Sequence, residues 1–105
     1  MTRTLATVIA AAASGLTRPI QQQTGADDQT EYLRGGQPFA VVAADGSWAS
    51  FQLTATVAAA ALRTPETEVS ARGPRWVTLR PATLDSHAAD RATAWFESAW
   101  RAAGN

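Results

Sequence analysis

Two turn dipeptides, Gly35-Gly36 and Asp45-Gly46, bracket the apolar run Phe39-Ala40-Val41-Val42-Ala43 and constrain this chain more than any other feature. Dipeptides of this kind supply the positive φ angles that two-residue hairpin loops require, so an antiparallel meander is predicted. In the strand Thr30 to Arg34, alternation puts Tyr32 and Arg34 on one face and Glu31 and Leu33 on the other. The next strand runs to Ala44 and is apolar on both faces, as in a central strand covered on each side. Trp48 to Leu53 then turns Ala49, Phe51 and Leu53 toward the expected helices, and Trp48, Ser50 and Gln52 away from them.

Helical spacing takes over on either side of this meander. Leu5, Val8, Ile9 and Ala12 share one face of an N-terminal helix. Thr54 is placed to cap a middle helix from Ala55 to Arg63, which Pro65 ends. Glu68 to Arg72 and Arg75 to Arg80 read as two short strands joined around Gly73-Pro74. The last helix has the clearest pattern: Ala88, Ala92, Trp95, Phe96, Ala99, Trp100 and Ala103 follow the spacing of one buried face. Asp85 or Ser86 can cap its start, and Gly104 sits where a terminating glycine is expected. Residues Gly15 to Gln29, with Pro19, three glutamines and Asp27-Asp28, read as a mobile loop.

The fold class is therefore α+β: an antiparallel sheet carrying an N-terminal, a middle and a long C-terminal helix. At 105 residues, residues 1–105 form one domain with room for a single core. A hydrophobic share of 46% and four tryptophans match a folded globular chain. The start, Met1-Thr2-Arg3-Thr4 before an Ala-rich run, has the outline of an export signal, but its single arginine favours the helix reading. That run is also far short of the about 20 residues that cross a bilayer, so no membrane partner is expected.

Chemistry is sparse. His87 is the only histidine and there is no cysteine, so no metal site is expected. Asp27-Asp28 lacks further ligands at calcium-loop spacing. Ser86 or Ser98, His87 and Asp90 lie on one helix and cannot converge as a triad. Glu66 and Glu68 flank a turn expected to be exposed rather than forming an acid–base pair, and no phosphate loop, dinucleotide loop or Schiff-base lysine is present. The chain is read as no enzyme, with no cofactor. Its formal net charge is zero, so any polyanion site must be local. All nine basic residues are arginine, a usage that reads as codon composition rather than as a site.

The runs Gly36-Gln37-Pro38-Phe39-Ala40-Val41, Ser50-Phe51-Gln52-Leu53, Arg75-Trp76-Val77-Thr78-Leu79 and Trp95-Phe96-Glu97-Ser98-Ala99-Trp100-Arg101 together resemble the MmcQ/YjbR family of small bacterial proteins. The resemblance covers Tyr32 to Ala103. It implies a CyaY-like fold, a cytoplasmic location and DNA binding through hairpin wings, and it transfers no catalytic residue. The residues that suit this role are Arg34, beside Gly35-Gly36, and Arg72 and Arg75, flanking Gly73-Pro74. Fork-shaped cations at hairpin ends can grip a duplex backbone, giving weak, non-specific DNA binding, although solvated turn residues would look the same. The alternative is a protein-interaction module using an exposed sheet face or edge, for which the placement of Trp48 and Trp76 discriminates. No motif specifies an oligomeric state.

Overall fold

In the computed structural model, which describes residues 4–16 and 20–104, capping residues and turn glycines set the element boundaries. Helix α1 (Leu5–Ser14) is capped by Thr4, whose hydroxyl accepts from the Thr7 amide while Thr7 reciprocates. Strands β1 (Gln21–Thr24), β2 (Thr30–Arg34), β3 (Gln37–Val42) and β4 (Ala49–Gln52) follow. Thr54 caps helix α2 (Ala55–Ala61), then come β5 (Thr67–Val69) and β6 (Trp76–Leu79). The Asp85 carboxylate accepts from the Ala88 amide at 2.8 Å and caps helix α3 (Ser86–Ala103).

All pairings are antiparallel, in the order β1-β2-β3-β4-β6-β5. The expected architecture of one antiparallel sheet with three helices is present. Gly35 and Gly36 hold the β2–β3 turn at φ 60° and 80°. The β3–β4 turn docks on α1: the Leu5 amide donates to the Gly46 carbonyl at 3.1 Å. A side chain at position 46 would strike Thr4, so glycine is required there for space as well as for its φ of 73°.

Three boundaries differ from the sequence reading. The segment read as loop contains β1, paired with β2 from Gln21↔Leu33 to Thr24↔Thr30. All four of its residues are exposed, so no hydrophobic alternation announces it. Pro19 and Met1–Arg3, the basic start considered for export, lie outside the described residues. The strands around Gly73-Pro74 are shorter than expected, because Ser70 to Arg75 close on themselves through Ser70 N–H to Trp76 O (2.9 Å) and Trp76 N–H to Gly73 O (3.1 Å). Helix α2 stops at Ala61 because the Arg63 and Thr64 amides turn back to Ala60 and Ala61 ahead of Pro65.

All three helices contribute to one core on one face of the sheet, with Tyr32, Ala40, Val42, Ala49, Phe51, Leu53, Val77 and Leu79 as its floor. A bulge adapts that floor. The register passes from Tyr32↔Ala40 to Leu33↔Pro38, so Phe39 is the extra residue and joins Ala40 in the core. Phe96 of α3 lies against both sides of this irregularity, 5.2 Å from the Tyr32 ring in an edge-on contact and 5.3 Å from the Phe39 ring. Trp95 meets Phe51 at 6.3 Å, while His87 is exposed at the other end of the helix. Phe96 is fully buried, so Phe96→Ala should lower stability by about 3–5 kcal/mol in urea unfolding. A change below about 1 kcal/mol would mean that α3 is not docked through this ring.

Candidate nucleic-acid interface

Antiparallel order determines where the three arginines go. β2 ends and β3 begins at the Gly35-Gly36 turn; β5 ends and β6 begins at the Ser70–Arg75 loop; and β4 ends beside Arg75. These connections therefore leave the same end of the sheet, which is also where α3 terminates. Arg34 and Arg75 are brought to one end, with Arg101 in the last turn of α3, and Arg72 starts from a loop at that end. The opposite end holds Asp27, Asp28, Asp45, Glu66 and Asp85, among which Asp27 and Asp45 line one shallow depression. Arg80 and Arg91 also lie toward that acidic end, facing Glu68 at 3.3 Å and Glu66 at 3.7 Å. A chain of zero net charge is thus electrically polarised by its topology.

Each arginine is held differently. Arg34 extends from the helix-facing side of β2 over the end of α3. Its Nη1 donates to the Trp100 carbonyl at 2.7 Å, and its guanidinium lies 3.9 Å from the Trp100 ring centre. It caps a helix end whose last carbonyls lack partners. Gly104 ends the helix at φ −87°, not in the left-handed conformation expected of a terminating glycine. Its lack of a side chain matters because a Cβ would collide with the Arg34 guanidinium. Arg34, Trp100, Gly35 and Gly36 line an open cleft of about 820 Å³.

Arg75 is exposed but not loose. Its Nε donates to the Leu53 carbonyl at 3.0 Å while its own carbonyl accepts from the Leu53 amide at 2.9 Å. Fastened through Nε, it has both Nη groups without a hydrogen-bond partner among the described residues. Arg72 instead turns back across the sheet. Its Nη2 donates to the Glu31 carboxylate at 2.9 Å, and its guanidinium lies 5.2 Å from the Trp76 ring centre.

Glu31 is the residue that sequence reasoning missed. It sits on the sheet face away from the helices, accepting from Gln23 of β1 at 2.6 Å and from Arg72. These two side-chain hydrogen bonds, Gln23 first and Arg72 next, hold its carboxyl below the usual 4.5. The same face carries Val41, the Ser50 and Thr78 hydroxyls 2.7 Å apart, Trp76 and Trp48. Trp76 is buried and Trp48 half-buried, with Arg72 over one and Arg80 (5.9 Å) over the other. Neither tryptophan lies under a helix or forms an exposed apolar patch. Arginines lie over both rings instead, and among the described residues Val69 is the one exposed large apolar side chain.

Among the described residues no three His, Cys, Asp or Glu side chains are grouped to hold a metal ion. No described helix is long and apolar enough to cross a membrane. No family model matches the chain, and neither a curated protein nor a solved structure matches it.

Two outcomes follow from the contacts of Glu31 and Arg34. Because the folded-state value of Glu31 is depressed, its stabilisation is present above pH 4.5 and is lost as pH falls through the lower folded value. Glu31→Gln should therefore be less stable than the wild type at pH 7, and the gap in urea midpoint should close on acidification toward pH 3. A gap independent of pH would contradict the ion pair. Gly104→Ala should displace the Arg34 guanidinium from Trp100 at a small cost, on the order of 0.5–1 kcal/mol, that nearly vanishes in an Arg34→Ala background. Additive losses in that double-mutant cycle would show that the two positions do not interact.

Proposed function

We propose that this domain binds the phosphate backbone of duplex DNA through the end of the sheet that carries Arg34, Arg72 and Arg75, as an MmcQ/YjbR-type protein of the bacterial cytoplasm, and that it catalyses no reaction. The observation that carries this reading is the sorting of charge by topology: a neutral chain brings Arg34, Arg75 and Arg101 to one end, with the loop that bears Arg72, while at the other end Asp27, Asp28, Asp45, Glu66 and Asp85 outnumber Arg63, Arg80 and Arg91. Phosphate binding needs such a local field, since the molecule as a whole has none to offer.

Geometry supports the same reading. The β2–β3 turn and the β5–β6 loop are separated by three inter-strand spacings, about 14 Å. The major groove is about 12 Å wide, so two loops on this spacing suit phosphates on its two sides. Arg75, fastened through Nε with its fork outward, is preorganised to meet a phosphate without first losing side-chain freedom. Nothing in this arrangement reads base edges, so binding is sequence-independent and steeply salt-dependent. A second reading, pairing of a partner protein's strand with the β1 edge, is favoured by the full exposure of Gln21–Thr24 and the absence of charge in that strand.

Anisotropy of a labelled duplex across a salt series tests the first reading. The wild type should bind weakly, and neutralising Arg72 and Arg75 together should flatten the slope of log K against log salt by about 2, one unit per phosphate contact. An unchanged slope, or absence of binding at about 20 mM salt, would pass the case to the β1 edge.

A further inference from the structure

We infer that Glu31 is an internal competitor for phosphate: it occupies the Arg72 guanidinium in the free protein and must yield that arginine for a nucleic-acid backbone to bind. This rests on the duplex-backbone reading and assigns its regulation. Arg72 starts in the loop between β5 and β6, whereas Glu31 belongs to β2, three strands away across β6, β4 and β3. The pair therefore pulls the arginine inward over Trp76, away from the end of the sheet where Arg75 points its fork outward.

The two partners are unequally held. Glu31 has 12% of its side chain exposed, is fixed by Gln23 at 2.6 Å and is pressed against Gly25, where a Cβ would lie 2.7 Å from its Oε2. Arg72 retains 35% exposure and one hydrogen-bonded nitrogen, so it is the mobile partner and can be reached from solvent. The paired non-bridging oxygens of a phosphate diester and the two oxygens of a carboxylate both suit a guanidinium fork, and a guanidinium held against Glu31 is not at the end of the sheet where a backbone would meet Arg75. When Arg72 leaves, Glu31 keeps its bond to Gln23, which limits the cost of release. The exposed pair Arg80 and Glu68, with 55% and 59% exposure at the acidic end, offers no comparable contest.

The test is the affinity for a labelled duplex, measured by anisotropy at about 20 mM and about 150 mM salt for wild type, Glu31→Gln, and Glu31→Gln combined with Arg72→Ala. Glu31→Gln should bind up to about fivefold more tightly than wild type, the range expected for losing a partly exposed ion pair, and the double variant should lose that gain. Hydrogen exchange of the 70–75 amides should also quicken in Glu31→Gln without duplex present, reporting release of the loop. If the glutamine variant does not fold, Glu31→Thr, a strand-favouring residue with no long polar group to satisfy, serves the same arm. Wild-type binding that Glu31→Gln leaves equal or weaker would overturn the competition while leaving the duplex reading intact. Absence of binding by both proteins at low salt would overturn both.

Discussion

Phe96 against the β2–β3 bulge is the contact on which the remaining geometry depends. Without the extra residue at position 39, the strict alternation of β3 would turn Phe39 to the far side of the sheet, and α3 would lose one of the two rings that receive Phe96. With it, three aromatic rings close on one another and fix where the helix lies along the sheet. One turn later the same helix delivers the Trp100 carbonyl and ring to Arg34. The position of an arginine at the sheet end is thus a consequence of core packing on its own strand and the next.

Charge is organised by the same frame. Antiparallel connection of six short strands alternates the ends at which loops emerge, and arginines predominate in one set while carboxylates outnumber Arg80 and Arg91 in the other. The three arginines at the basic end are then set apart by what holds them. Arg34 is committed to a helix terminus through a hydrogen bond and a stacking contact, interactions worth about 1.5–3 and 0.5–1 kcal/mol. Arg75 is tethered at Nε with its fork outward. Arg72 is divided between Trp76 and Glu31. They form a graded set, from structural to available, rather than three equivalent contacts.

What the sequence made legible, and what it hid, follows from whether a signal is local. The faces of β4, the caps Thr54 and Asp85, and the stripe of α3 were readable because periodicity and capping act within a few residues. Strand β1 was not, because a fully exposed edge strand of glutamines has no buried face to alternate with. The bulge at Phe39 was equally silent, since Phe39-Ala40 looks like ordinary alternation until Leu33 is seen to pair with Pro38. Arg34, Arg72 and Arg75 were picked out by their neighbouring turns. Their partners Trp100, Glu31 and Leu53 lie 66, 41 and 22 residues away, and no local rule joins residues at that range. Gly104 shows the same limit: the position of the glycine was expected, but its reason is a guanidinium from a strand near the middle of the chain.

Under the proposed function, phosphate is met at the end of the sheet that carries Arg34, Arg75 and Arg101. Titrating isotope-labelled protein with a short duplex at low salt and following backbone amide shifts would test it most directly. Shifts are expected at residues 34–36, 53–54, 70–76 and 101–104, and at Glu31 as Arg72 is released, with the turn at 43–48 and the start of α3 unmoved. Shifts centred on β1, or on the acidic end around Asp27 and Asp45, would contradict it.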